Sequence, residues 1–290
     1  MSDNFFCYIW KVDLGSAAFV VTPNDKLVLF DAGRNDSFSP AKFIYDNSNV
    51  KTCDALILSH PHDDHLKDLE NIMTLLKPIS RYKNPTTPER LIYPNGKKNL
   101  TEPMNSWLDI ENRFTFPVPN DNNLTDPNNF GGVQFNLFYA NEKQLIPTAK
   151  ENLNNYSVVT TVKYRGLLLV FPGDLEPDGW DAVLDNTNLS THLDGNIKIL
   201  IAPHHGRRSG IRKADGSVYD RFLKRMQPNL VIISDVWGNE STDPEAYRAY
   251  ASGLPVESNG VTEQKSVLTT KTNNCVSIQG IGYDLYVKVF

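Results

Sequence analysis

Four potential metal ligands fall within six residues of this chain, in Ser59-His60-Pro61-His62-Asp63-Asp64-His65, directly after the apolar run from Ala55 to Leu58. In extended backbone, residues two apart point the same way, so His60 and His62 can grip one ion. Asp64 and His65, where the chain turns into a helix, reach a second. The placement of histidine sharpens this reading: of six in the chain, three lie in this stretch, two form His204-His205, and only His192 stands elsewhere. A solvated polar turn would not concentrate them so.

Two later segments supply the remaining ligands, each where an apolar strand ends. The run from Leu167 to Phe171 opens into Pro172-Gly173-Asp174. Glycine lets the backbone turn there, and a carboxylate can bridge two cations and offset their repulsion. The run from Ile197 to Ala202 opens into Pro203-His204-His205-Gly206. One imidazole of this pair is expected on metal, while its neighbour hydrogen-bonds substrate or orients a ligand. His192, in a polar stretch, reads as a surface residue.

The three cysteines, Cys7, Cys53 and Cys275, are far apart and form no CxxC pair, so neither a disulfide framework nor a thiolate zinc site is expected. Metal must rely on imidazole and carboxylate. The formal charge of -5 gives no global attraction to nucleic acid. No window approaches the roughly 18 apolar residues of a membrane span, and Met1 to Cys7 lack the features of a secretory signal, so a cytoplasmic protein without a membrane partner is expected.

Short strands are expected at Phe5 to Val12, Ala17 to Val21, Leu27 to Phe30 and Ala55 to Leu58. Leu66, Leu69, Ile72, Met73 and Leu76 then fall at helical spacing. Residues 77–130 read as a loop-rich insertion, most loop-like from Pro119 to Asn129. Strand patterns return at Val133 to Tyr139, Ser157 to Tyr164, Leu167 to Phe171, Ile197 to Ala202 and Leu230 to Ser234. Helices are expected at Trp180 to Leu184, Val218 to Met226 and Pro244 to Ser252, the last capped by Asp243 and stopped by Gly253. Strand-then-helix order in both halves favours sheets sandwiched between helices, read as one domain over 1–290.

With Phe30-Asp31-Ala32-Gly33, HxHxDH at 60–65, Ser157-Val158-Val159, Gly173-Asp174 and His205 in this order, the chain resembles the metallo-β-lactamase superfamily over most of its length. Val12-Asp13-Leu14-Gly15, Asn154-Asn155-Tyr156-Ser157 and Pro203-His204-His205-Gly206 are similar to the hydrolase domain of the ComEC competence DNA-uptake proteins and its stand-alone relatives. The resemblance implies an α/β fold, an αββα sandwich of two mixed sheets with helices on both outer sides and the metal site at one edge. It favours His205 over His204 as ligand, because the family's last histidine often directly precedes a glycine. The ligand set is then His60, His62, Asp64, His65, Asp174 and His205, with Asp64, Asp174 and His204 as expected catalytic groups. Many superfamily members carry a further histidine near Asn154 to Ser157; this chain has none between His65 and His192, a lack shared by the ComEC-like branch. Two other departures are Arg207-Arg208-Ser209 after Gly206, where the branch usually continues His-His-Gly-Ser, and Asn239 followed by Glu240-Ser241-Thr242-Asp243-Pro244, where the branch has an Asn followed by Tyr or Phe and His-Pro, so that Asp243 replaces the histidine.

Histidines and carboxylates without thiolates suit one or two Zn²⁺ ions, with Mn²⁺ or Fe as other occupants. Water between the ions would ionise near neutral pH and act as nucleophile. Arg207 and Arg208, whose guanidinium forks match phosphate oxygens, and Asn155 are the expected substrate-binding residues. They favour a phosphodiester, nucleotide or nucleic-acid substrate; a small carbonyl substrate (lactone, thioester or β-lactam), iron-based oxygen chemistry and a non-catalytic metal-stabilised module are the alternatives.

Overall fold

Alternation along the apolar strands decides the architecture. In Leu27–Phe30, Val28 and Phe30 join one core while Leu27 and Leu29 join another, and in Leu167–Phe171, Leu169 and Phe171 part from Leu168 and Val170 in the same way. A strand apolar on both faces must be covered on both, which a sheet buried between a second sheet and a layer of helices provides.

The computed structural model describes residues 4–111, 122–236, 240–282 and 284–290. Its strands are β1 (Asn4–Trp10), β2 (Ala18–Val21), β3 (Leu27–Phe30), β4 (Ala55–Ile57), β5 (Ser80–Tyr82), β6 (Gln134–Phe138), β7 (Val159–Tyr164) and β8 (Leu167–Phe171). They continue with β9 (Ile197–Ile201), β10 (Leu230–Ile233), β11 (Leu254–Ser258), β12 (Val261–Lys265), β13 (Val267–Thr269), β14 (Cys275–Ile281) and β15 (Asp284–Val289). Among the described residues one sheet has nine strands in the order β12-β11-β15-β14-β1-β2-β3-β4-β5, and the other six in the order β13-β10-β9-β8-β7-β6. Each is mixed: β3, β4 and β5 run parallel, as do β8, β9, β10 and β13, whereas β1 to β3 and β6 to β8 are antiparallel.

Three cores follow. Phe30, Phe135, Phe171, Ile201, Ile232 and Ile278 meet between the sheets. Outside the six-stranded sheet, helices Pro177–Asn186 and Arg221–Met226 pack Trp180 and Phe222 onto Val170, Leu200 and Val231. Outside the nine-stranded sheet, Ile44 of helix Pro40–Asn47, Leu69, Ile72 and Trp107 cover Leu27, Leu29 and Leu56. This is the αββα sandwich that the resemblance implied. No helix among the described residues is long and apolar enough to cross a membrane. Cys7, Cys53 and Cys275 are buried and unpaired.

Several local expectations are corrected. The segment 77–130 contains more than loops: Ser80–Tyr82 pairs with β4 at the sheet edge, and helix Glu102–Glu111 buries Met104, Trp107 and Ile110 at helical spacing. Three residues are too few for a strand period to be visible in sequence, while those apolar positions did carry the helix. Residues 119–121 of the most loop-like stretch lie outside the described residues. After the histidine motif, the apolar stripe is buried but regular helix is brief, Leu69–Asn71 continuing into a π-type turn at Ile72–Leu76. Asp243 caps its helix by accepting from the Ala246 N–H, yet the helix ends at Arg248, before Gly253.

Phe171 stacks on Phe30 across the two sheets, centroids 4.2 Å apart and planes 6° from parallel, immediately below the strand ends that carry the ligands. Phe171→Ala is expected to lower stability by about 3–5 kcal/mol. Urea denaturation of the metal-free protein should show this as a lower midpoint with an unchanged slope.

Candidate metal centre

Parallel strands deliver their carboxyl ends to one edge, and in open α/β sheets ligand sites form there. Here β3 ends at Asp31, β4 runs into Ser59 and the 60–65 loop, β8 leads through Gly173 to Asp174, and β9 leads to His204-His205. Backbone bonds tie these ends together: the Val158 N–H donates to Ser59 O (2.9 Å) and the His204 N–H to Gly173 O (3.1 Å). Gly173 has a φ of +58°, and a Cβ there would stand 2.5 Å from that of Ser59. Only glycine permits this approach.

Asp174 sits at the centre with one oxygen toward each of two ligand sets. Its Oδ1 lies 3.1 Å from His65 Nε2 and 3.3 Å from His205 Nε2. His205 Nε2 is in turn 3.2 Å from His65 Nε2 and 3.5 Å from Asp64 Oδ2. Its Oδ2 lies 3.8 Å from His60 Nε2 and 3.6 Å from His204 Nε2, and His60 Nε2 is 2.8 Å from His62 Nδ1. Donors on a tetrahedral ion, with bonds of roughly 2.0–2.1 Å, stand about 3.4 Å from one another. The donor atoms of Asp64, His65, Asp174 and His205 form one group within 4.8 Å, and those of His60, His62 and Asp174 a second. Both donor sets suit a divalent metal ion, with Asp174 shared.

The surroundings fix these rings. Asp31 Oδ2 lies 2.9 Å from His65 Nδ1, leaving Nε2 to face the centre, and Asp31 Oδ1 accepts from the Ser59 N–H at 2.7 Å. Ser59 Oγ contacts the Nδ1 atoms of both His60 (3.1 Å) and His65 (3.2 Å). Burial would push His65 and His205 toward the neutral form, but the Asp174 carboxylate beside both, with Asp31 beside His65 and Asp64 beside His205, holds their pKa values above the ordinary histidine range. Burial, reinforced by His65, holds His60 well below it, and burial likewise depresses His62. Asp174, despite complete burial, is held well below the usual carboxylate range by His205 and His65.

All six expected metal ligands converge, whereas the expected substrate-binding residues separate. Arg208 is exposed and lines a cleft of about 900 Å³ with Asn152, Asn155, Glu176, Arg212 and Lys213. Arg207 is half-buried, joins Thr242 in a β-bridge, and is not on that wall. Asn155 is 2% exposed; its amide donates to Ala149 O and its Oδ1 faces Gly179, so it mainly packs the cleft floor. His204 lies beside Asp174 with its Nδ1 3.1 Å from Glu176 Oε1. Glu176, Asp31 and Ser59 were assigned no role from sequence; Glu176 and Ser59 stood beside ligand motifs, and Asp31 lay in the Phe30-Asp31-Ala32-Gly33 landmark. Asp243, where the resemblance implied a histidine, is committed to Arg212 Nε (2.5 Å) and to its helix cap, and Asn239 lies outside the described residues.

Comparison with known proteins gives a match of residues 12–103 to the metallo-beta-lactamase superfamily. The chain is 25% identical to ComE operon protein 3 of Bacillus subtilis (strain 168) over 239 residues, covering 76% of this chain and 27% of that protein, so it spans about a quarter of this relative's length. Among solved structures it is similar to the metallo-beta-lactamase fold protein YhfI from Bacillus subtilis, at 12% identity and a TM-score of 0.48, over 93% of this chain and 98% of that one. It is also similar to CmlA, a diiron beta-hydroxylase from Streptomyces venezuelae, at 13% identity and a TM-score of 0.46, over 83% of this chain and 46% of that one. A diphosphatase from the PhnP family matches at 13% identity and a TM-score of 0.45, over 96% and 99%.

The two groups should differ in proton release. Metal requires neutral imidazole. His65 and His205, with raised pKa values, hold their protons to higher pH than an ordinary histidine, so metal uptake by their group should release protons across a range reaching above about 6.5, with affinity climbing as pH rises through it. His60 and His62 are already neutral there, and uptake by their group releases none. Zn²⁺ titration in weak buffer with a pH indicator should separate the two; equal release per ion would contradict the assignment.

Proposed function

We propose that the chain is a metal-dependent hydrolase of the metallo-β-lactamase superfamily, whose model residues 12–103 match, and that it cleaves a phosphodiester in a nucleotide or nucleic-acid substrate using two zinc-type ions. One observation carries the reading: a buried carboxylate, Asp174, stands between two sets of imidazoles and offers one oxygen to each. A shared carboxylate between two ligand sets suits a two-ion clamp on an in-line displacement at phosphorus. Bound divalent ions would supply Lewis acidity and water of lowered pKa.

The protein's own groups do the rest. Asp31 and Ser59 lock the rings of His65 and His60, so the donors need little reorganisation. Asp64, the most exposed of the carboxylates around the centre, with 30% of its side chain accessible, borders the reacting space. Arg208, on the wall of the cleft beside Glu176, is placed for a phosphate oxygen of a substrate lying in that cleft. That cleft is large enough for a nucleotide and open enough for a strand.

The test is a panel of phosphodiester substrates run beside lactones and thioesters with zinc- and manganese-loaded protein. Phosphodiester cleavage is expected. His62→Ala and Asp174→Ala should each lose more than the roughly 10–100-fold typical of removing an outer partner of a ligand. Arg208→Ala should raise KM with kcat little changed, the mark of a contact made equally in ground and transition states. Cleavage of carbonyl substrates alone would overturn the phosphoryl assignment, and full activity in both ligand variants would overturn the site.

A further inference from the structure

The two places where the chain departs from the pattern it resembles, Arg207-Arg208-Ser209 and Asp243, meet in the fold. Arg207 bridges Thr242, the Arg208 N–H donates to Ser241 O at 2.9 Å, and the Asp243 N–H donates to Gly206 O at 2.9 Å. We propose that Lys213 is a second phosphate contact of the large cleft and that Arg212, clamped by Asp243, is the positioning residue that holds it there. The cleft then favours a substrate with two successive phosphates, an oligonucleotide, over one with a single phosphodiester. This rests on the phosphodiesterase reading above and deepens it.

The cleft reaches from Glu176 and Ser209, which both contact His204, to Tyr219 and Asp181. Three cations stand on the wall made by residues 208–213, and they are not equivalent. Arg212 is committed to the protein, its Nε 2.5 Å from Asp243 Oδ2 and its Nη1 donating to Gly216 O at 2.8 Å. Arg208 and Lys213 are exposed, and neither forms an ion pair among the described residues. Lys213 Nζ lies 5.9 Å from the centroid of Tyr219, which also lines the cleft. The carboxylates of the cleft are mostly occupied. Glu176 accepts from Asn152 and Asn154, Asp181 from Tyr219 and Arg221, and Asp215 from the N–H and hydroxyl of Ser217. Asp178 remains, on the wall made by helix Pro177–Asn186. A chain of phosphates is therefore drawn along the 208–213 wall, with one phosphate on Arg208 nearer the metal centre and the next on Lys213.

The position of Lys213 is built rather than incidental. Lys213 to Gly216 form a tight turn, the Gly216 N–H donating to Lys213 O and the Lys213 N–H to Ser217 O, each at 2.9 Å. Arg212 braces that turn from the side, holding Gly216 O with one arm of its guanidinium and Asp243 with another. Asp243 is itself fixed at both ends: it caps helix Pro244–Arg248 and donates its N–H to Gly206 O, beside the ligand His205. The segment from His205 to Lys213 is thus pinned where it leaves the centre and where it reaches the far wall. A planar fork can hold a carboxylate and a carbonyl at once in fixed geometry, which an ammonium on a flexible stem does not reproduce.

The test compares the dinucleotide TpT with the trinucleotide TpTpT on full-length protein. Binding is followed by isothermal titration calorimetry with metal-free protein, and turnover with zinc- and manganese-loaded protein. Wild type should prefer TpTpT on the order of tenfold in Kd and KM, about twofold from its second register and about fivefold from an exposed ion pair. Lys213→Ala should cut that ratio to about twofold, and Lys213→Arg should keep it high. Arg212→Lys and Asp243→Asn should also cut the ratio with kcat little changed, the mark of a lost contact made equally in ground and transition states. A merely structural defect would instead lower kcat for both substrates and leave the ratio. Circular dichroism checks folding, and loss of fold in either variant would overturn the positioning role. A wild-type ratio of twofold or less, or one that survives Lys213→Ala, would overturn the second phosphate contact. Cleavage of carbonyl substrates alone, with the binding preference for TpTpT intact, would overturn the phosphodiesterase reading and leave Lys213 as an anion contact.

Discussion

A buried carboxylate on which imidazoles converge organises this molecule. Asp174 is 2% exposed, and an uncompensated charge at such a position costs several kcal/mol. It is held ionised by His205 and His65, which lie on one oxygen, while His60 and His204 lie near the other. The requirement reaches outward. For β8 to end at Asp174, Gly173 must pass Ser59 at a distance no side chain allows, and Ser59 must be anchored to Asp31 at the end of β3. The two sheets are thus joined at the site edge by polar contacts, as they are joined beneath it by Phe30 on Phe171.

The wall behind the Asp64–His65–His205 set is made of backbone. A Cβ on Gly15 would meet Asp64 O at 2.4 Å, and one on Gly33 would meet Ser16 O at 2.6 Å and Asp64 O at 3.0 Å. The loops after β1 and β3 therefore press directly on the ligand loop, and Ser234 Oγ at the end of β10 donates to Gly15 O at 2.8 Å. Two glycines and one hydroxyl carry the contact from the six-stranded sheet to the loop bearing Asp64 and His65. Asp68 extends the same framework: its carboxylate accepts from Ser39 Oγ and from the N–H of Ala41 at the start of helix Pro40–Asn47.

Much of this was legible in sequence because the ligands are grouped at strand ends, where an apolar run followed by histidine or Gly-Asp is a strong signal. Short apolar runs bounded by turn residues named most of the strands of both sheets through β10. The C-terminal strands were harder: β12 is exposed along its length and β13 has three residues, so neither shows a half-buried period. Helix Pro40–Asn47 was likewise missed, although Ser39 caps it and Pro40 opens it, because its apolar positions are few. The substrate residues failed for a different reason. Adjacency to a ligand loop does not fix direction: Arg207 and Arg208 are neighbours, yet one is half-buried beside Thr242 and the other faces the cleft. Asn155 was drawn into the site by its motif, but its amide serves the carbonyl of Ala149. Glu176 was silent in sequence because its role depends on a ring supplied from another strand end.

The two ligand sets are chemically unequal, and that asymmetry gives the site a direction. The Asp64–His65–His205 set contains a whole carboxylate besides its share of Asp174, and Asp31 stands behind His65, so negative charge accumulates there. The His60–His62 set has only its share of Asp174 and neutral rings, with Glu176 a shell further out behind His204. The field for a cation is stronger on the first side. The second side is also the one that opens: His62 is half-buried rather than buried, 12% of the His204 side chain is accessible, and Glu176 and Ser209 line the large cleft. On the proposed reading, an anionic substrate approaching along that cleft would meet Arg208 and the His60–His62 side of the centre first, with the Asp64–His65–His205 side behind them against the glycine-packed wall. The substrate's orientation would then follow from an unequal sharing of carboxylates that begins with the two oxygens of Asp174.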